Sequence, residues 1–284
     1  MKKPNVVILN ITHGDNPYME QPPFLPIAAG ACRTDIMNDA RGEENISTKN
    51  KWYGDFTSLY WAWKNLKDVD IIGTSHYRRY LADDDVLNRW QFEYSLSWEK
   101  FSNRRYNTDH LVKILDKCDF VMLKEFIFQT TTREQYIQCH PYPQNLDYVT
   151  KALEKIHPES VDIWKNILEK KSMQPGYLFL TRWEKFNELC EWLYPVLVDI
   201  EKQIDIAQYE GYQSRVIAFL YERLVPVFIV TKNYRIEQRS MYLIEKESKL
   251  SVGEYKRLYR KEQCIQIKRK IKKIVKSVLG GSMC

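Results

Sequence analysis

The amino-acid sequence predicts an α/β protein with a mostly parallel central sheet flanked by helices. Two observations carry the prediction. Short, continuous apolar runs recur at 5–11, 69–75, 118–123 and 176–180, each bounded by polar or turn residues, which is how strands buried on both faces read. Between them lie segments with apolar residues at helical spacing, at 52–67, 148–170 and 183–203, and this alternation lays helices against a sheet.

Taken in order, Asn5-Val-Val-Ile-Leu-Asn-Ile11 is a strand entering the loop Thr12-His13-Gly14-Asp15. Asn16–Pro26 holds too much proline for regular helix, and Arg41–Asn50 is polar and loop-like. Trp52–Lys67 places Tyr53, Phe56, Tyr60, Trp63 and Leu66 on an amphipathic helix. Val69–Ser75 is a short strand feeding His76-Tyr-Arg-Arg-Tyr80, and Leu111–Leu115 closes a helix. Cys118–Leu123 is a buried strand, and residues 124–148 show no periodicity. Helices follow over 148–170, 183–203 and 211–224, with a strand at Gly176–Leu180. Pro226 is expected to close the last helix before a strand at Val227–Val230. This organises the chain as one domain over 1–250 and a basic tail over 255–284.

The tail's ten Lys/Arg against one acid give +9, which leaves the other 254 residues at −3 within a total of +6. Nucleic-acid binding spreads positive charge over the folded domain, so no nucleic-acid partner is expected. Ile267, Ile271, Ile274, Val275 and Val278 recur at helical spacing among the lysines and arginines. That is a basic amphipathic helix suited to an anionic membrane surface. The six cysteines form no C-x-x-C pair, so free thiols in a reducing cytoplasm are expected. No window is long and apolar enough for a membrane span, and no signal peptide is read at the start. The expected location is cytoplasmic, peripheral on the inner face of the membrane.

P-loop, G-x-G-x-x-G, G-x-S-x-G and H-E-x-x-H patterns are absent, which argues against ATPase, Rossmann oxidoreductase, α/β-hydrolase and zincin chemistry. Ligands of such sheets bind beyond the carboxyl ends of the strands, which promotes Thr12–Asp15, His76–Tyr80 and the segment after Leu123. Arg78 and Arg79 suit a diphosphate because a planar guanidinium makes paired, charge-assisted bonds. Their alternative is an edge strand whose arginines pair with acids at 83–85. Gln213 and Arg215 open the helix at 211–224, where the helix dipole also favours an anion. Glu222-Arg223 reads as an internal ion pair, and Asp55 is open to either a structural or a catalytic role.

The combination Asn45-Ile-Ser-x-Lys49-Asn50, Tyr53-x-Asp-x-Thr57, Leu59-Tyr-Trp-Ala-Trp-Lys-Asn65 and Ile72-Gly-x-x-His76-Tyr-Arg-Arg-Tyr80 strongly resembles a bacterial family of capsule and exopolysaccharide biosynthesis glycosyltransferases. That family was formerly a domain of unknown function, and it includes UDP-galactofuranose-dependent β-galactofuranosyltransferases. Arg215-x-x-Ala-Phe-Leu-x-Glu-Arg-Leu224 is similar to its late helix. The chain departs from it in having Glu44 and Asp55 where the family has Asp and Glu, and Gly176-Tyr-Leu-Phe-Leu180 for a more amide- and methionine-rich strand.

The resemblance implies a GT-A-like nucleotide-diphospho-sugar transferase fold, a UDP-sugar donor, a glycan or lipid-linked glycan acceptor, and inversion. It implies donor contacts from Thr12, His13, Lys49, Asn50, His76, Tyr77, Arg78, Arg79, Gly176, Gln213 and Arg215. The catalytic base stays open among Asp55, His140 and Asp147. Where GT-A enzymes commonly carry a metal-binding acidic motif, this chain has His-Tyr-Arg-Arg. No resident cofactor is therefore expected, and weak or absent dependence on Mn²⁺ or Mg²⁺. The rival is a non-catalytic glycan-binding or scaffold subunit of a polysaccharide assembly complex.

Overall fold

The apolar run at the start forms β1 (Val6–Thr12), buried from Ile8 onward. It lies between two parallel neighbours, β2 (Phe24–Ala28) and β4 (Ile71–His76), so both of its faces are covered. The structure, a computed structural model, describes residues 3–88 and 93–245. The tail predicted at 255–284 lies outside them.

The other strands are β3 (Met37–Asn38), β5 (Arg79–Leu81), β6 (Glu93–Ser97), β7 (Phe120–Leu123), β8 (Phe126–Ile127), β9 (Ser172–Met173), β10 (Phe179–Arg182), β11 (Ile236–Arg239) and β12 (Met241–Glu245). The helices are α1 (Asn50–Tyr53), α2 (Phe56–Asn65), α3 (Asp85–Asn88), α4 (Trp98–Ser102), α5 (Thr108–Ile114), α6 (Thr132–Cys139), α7 (Gln144–Ile156), α8 (Val161–Glu169), α9 (Trp183–Gln203) and α10 (Val216–Thr231). Ten strands form one sheet whose main path is β11-β7-β10-β4-β1-β2-β3, with β5, β12 and β6 branching from β4. Among the described residues, five of its nine pairings are parallel; β10 runs antiparallel between β7 and β4. Alternate side chains divide the core. Leu9, Ile11, Ile72 and Phe179 pack with α2, α7, α8, α9 and α10 on one face, while Ile8, Ile71, Val121 and Leu180 pack with α5, β5, β6 and β12 on the other.

The predicted alternation holds; the strand expected at Gly176–Leu180 starts only at Phe179 and runs to Arg182, after a turn at 176–178, and four further elements differ. The expected helix over 52–67 is broken at Gly54, whose φ of 56° and ψ of −138° suit only glycine. Its second part is not amphipathic: Phe56–Ala62 are all buried. The segment 124–148 contains α6, which is too polar to show a period but carries a capping box, Thr131 with Glu134. The expected helix over 148–170 divides at His157-Pro158, because the residue before proline is driven out of helical geometry.

The fourth difference positions the site. Pro226 does not close the last helix, and no strand forms at 227–230; α10 runs through to Thr231. Proline lacks the N–H that would bond to the carbonyl four residues back. That carbonyl belongs to Glu222, and it accepts the backbone N–H of Gly176 at 3.1 Å instead. A Cβ on Gly176 would stand 2.5 Å from Val225 Cβ, so only glycine lets this turn, which leads into β10, approach. The exchange seats Tyr177 beside Glu222.

Candidate functional site

His13 and His76 sit at the carboxyl ends of the adjacent strands β1 and β4. The break before α2 brings Asp55 beneath them, 3% exposed. Tyr221 of α10 donates its hydroxyl to Asp55 Oδ2 at 2.5 Å, and His76 Nε2 lies 3.2 Å from the same oxygen, close enough to pair but not aligned as a hydrogen bond. Burial by itself raises a carboxyl pKa. Here His76, Tyr221 and Arg215 outweigh it and hold Asp55 down at about 2. Burial lowers the pKa of His13, with the charges of Arg215 and His76 acting in the same sense against Asp55 and Asp39.

Arg215 enters from the start of α10. Its Nη2 would be 3.2 Å from a Cβ on Gly54, so the glycine that breaks the helix also gives the guanidinium its room. Arg79, half-buried on β5, places Cζ 5.6 Å from the ring centre of Tyr177, against which His76 also packs edge-on. Arg78 is exposed and lies over Tyr77 at 5.8 Å. Among the described residues none of these three guanidiniums has a carboxylate within 4.0 Å. The acids at 83–85 do not supply the alternative pairing. Asp83 accepts from Arg104 at 2.7 Å and Asp85 from Arg239 at 2.6 Å.

Glu222 completes the cluster, and it is the residue the sequence reading missed. Its partner there, Arg223, turns away to give Nη2 to Gln135 Oε1 and Nη1 to the Phe219 carbonyl. Glu222 is half-buried as a residue, and its carboxyl is ringed by protein. Burial and then the charge of Asp55 push it up to about 7, against the opposing pull of Arg223, Arg79 and Arg215. One signal was visible in advance: Arg215 and Glu222 are seven residues apart, which on a helix is one face.

The sign of this shift makes a stability prediction. Glu222 binds its proton more tightly folded, at about 7, than at its ordinary 4.5. Its contribution is complete below about pH 4.5 and is lost as pH climbs through about 7. Glu222→Gln, which never ionises, is expected to melt at least about 2 °C above the parent at pH 8. Near pH 4.5 the two should coincide; an equal difference at both pH values refutes the shift.

The remaining predicted residues lie as follows. Thr12 is buried at the end of β1, its Oγ1 without a hydrogen-bond partner. Lys49 is engaged by Glu201 at 2.7 Å, and Asn50 donates to the Gly54 carbonyl and to Thr57. Gly176 acts through its backbone, as above. His140, 5% exposed, stacks on Phe219 at 4.0 Å and contacts Gln213 at 2.9 Å; burial lowers its pKa. These two residues form a second group with Tyr212, which is 66% exposed. Asp147 is exposed in the first turn of α7 and, among the described residues, joins neither group. Beneath the site, the fully buried Asp39 accepts from the N–H groups of Gly30 and Ala31 and from the hydroxyls of Ser47 and Thr57, fastening the β2–α2 region.

Among the described residues no three His, Cys, Asp or Glu side chains are grouped to hold a metal ion, and no helix is long and apolar enough to cross a membrane. A cavity of about 830 Å³ lined by Trp63, Asp68, Asp70 and Trp183 lies at the opposite ends of β1 and β4 and holds none of the clustered charges.

The fold is similar to that of a solved structure, the bifunctional glycosyltransferase WbbM in its apo form, with a TM-score of 0.76 and 21% identity. The match covers 86% of this chain and 46% of that one, so the chain spans about half the length of its structural relative. At this identity the likeness shows a shared GT-A-like fold and nothing beyond the fold. No curated protein matches the chain. Residues 7–233 match the family described as "Domain of unknown function (DUF4422)" and take in every element of the cluster; the chain belongs to that family.

Proposed function

We propose that this protein is a glycosyltransferase that moves a sugar from a UDP-sugar to a hydroxyl of a glycan or lipid-linked glycan, with inversion. The observation that carries the reading is the convergence of Arg79 and Arg215, with exposed Arg78 on the adjoining turn, at the strand ends of a glycosyltransferase fold without carboxylate partners. Guanidiniums left unpaired around half-buried strand ends suit an anion, and a diphosphate meets their forked geometry. The fixed positive groups stabilise the charge that grows on the leaving diphosphate. His13 and Thr12, at the end of β1, face the nucleotide side, and exposed Tyr212 with the His140 group offers an aromatic platform to an acceptor sugar. Galactofuranose is the favoured donor sugar by family resemblance.

A screen of UDP-sugars that includes UDP-galactofuranose, read for transfer and for donor hydrolysis, tests the proposal. Absence of both, together with no measurable UDP affinity, favours a non-catalytic scaffold instead. Because the arginines take over charge neutralisation, transfer in excess EDTA is expected to stay within about twofold of the untreated rate; loss of more than about 90%, restored by Mn²⁺, overturns that part.

Membrane association belongs to the same reading, with the protein on the inner face of the membrane near a lipid-linked acceptor. The full chain is expected to sediment with anionic liposomes, and a chain without residues 260–284 to remain in the supernatant. Equal binding by both refutes the anchor.

A further inference from the structure

We infer that Glu222 is the general base that takes the proton from the acceptor hydroxyl. The inference rests on the transferase reading above and adds the catalytic residue which that reading leaves open. Asp55 is committed elsewhere, since its Oδ2 accepts from Tyr221 and faces His76. His140 is enclosed by Phe219 and Gln213, and Asp147 has no contact with the cluster. Glu222, by contrast, is half-buried beside the Gly176 turn, and among the described residues no hydrogen bond or ion pair engages its carboxyl.

The groups facing Glu222 come from four elements. Asp55 comes from the break before α2, Arg79 from β5, Tyr177 from the lead into β10, and Arg215 and Tyr221 from the cap and first turns of α10, while Arg223, turned to Gln135, acts by charge alone. Arg215, the residue that caps the start of α10, stands seven positions before Glu222, roughly 10 Å back along the helix axis. One therefore meets the departing diphosphate while the other meets the attacking hydroxyl on the far side of the anomeric carbon. Two carboxyls whose surroundings drive them apart, Asp55 to about 2 and Glu222 to about 7, divide the work between a fixed charge and a proton acceptor. In the step, the acceptor O–H breaks and its proton passes to Glu222. The acceptor oxygen bonds to the anomeric carbon, and the bond from that carbon to the diphosphate oxygen breaks. The electron pair leaves on UDP, beside Arg215 and Arg79.

The test measures transfer and UDP binding in parallel on the full chain and on E222Q, from about pH 5.5 to 8.5. The parent's kcat/KM is expected to rise with pH through about 7. E222Q is expected to lose about 10²–10⁴-fold in rate together with that rise, while its Kd for UDP stays within about threefold. E222D, which sets a carboxylate back by one methylene, is expected to keep the rise and recover part of the rate, and it serves as the test should E222Q not fold. E222Q transferring within about threefold of the parent overturns the inference, as does a loss of UDP affinity in step with rate, which marks a donor-binding or packing residue. A parent chain that neither binds UDP nor transfers any sugar overturns the transferase reading itself, a result distinct from either.

Discussion

Arg215→Ala is expected to lower kcat/KM for sugar transfer by about 10²–10³-fold, the usual cost of removing one fixed donor from a developing negative charge. The guanidinium lies against Gly54, faces Asp55, His13 and Glu222 through space, and has no carboxylate within 4.0 Å among the described residues. Because it supports no ion pair, its removal should move Tm by less than about 2 °C, so the lost activity cannot be ascribed to unfolding. Arg215→Lys keeps the charge but not the planar fork and is expected to fall between the two. The loss should appear in UDP affinity as well as in rate. Transfer by R215A within about threefold of the parent would remove Arg215 from the diphosphate site.

Asp55→Ala is the second large effect, and it falls on stability. Tyr221 is fully buried and gives its hydroxyl to Asp55, and His76 pairs with the same oxygen. Truncation strands both groups, and breaking a buried pair from one side costs about 3–5 kcal/mol. At about 2–4 °C per kcal/mol for chains of roughly this size, Tm should fall by roughly 10 °C. The carboxyl sits at about 2, below its ordinary 3.8. Its contribution is therefore present above about pH 4 and is lost as pH falls through about 2. Asp55→Asn keeps the shape and removes the charge that raises Glu222, so the rise of activity with pH should move to lower pH. A D55A melt within about 2 °C of the parent would show that the pair carries no weight.

Much of the architecture was legible because it depends on local pattern. Val6–Thr12, Ile71–His76 and Phe120–Leu123 are strands covered on both faces, and such strands announce themselves as unbroken apolar runs. The long helix at 183–203 was equally plain from its periodicity. Helix breaks were partly legible: Gly54 and Pro158 stand in the sequence, but α6 declares itself only by its cap.

Residue pattern alone dictates an alternating α/β chain with arginines and histidines at the strand ends. Which of those groups meet is set by packing between distant elements. Pro226 reads as a helix stop until Gly176, from the distant turn that leads into β10, takes the carbonyl that the proline releases. Asp55 stays open between a structural and a catalytic role until Tyr221, 166 residues away, closes over it. Glu222 reads as the partner of its neighbour Arg223 until folding turns that arginine to Gln135 and leaves the carboxyl facing Asp55 and Arg79. The physical reason is common to all three. A side chain's proton affinity and its free hydrogen-bonding capacity are set by desolvation and by charges within a few ångströms, and these come from elements far apart in the chain.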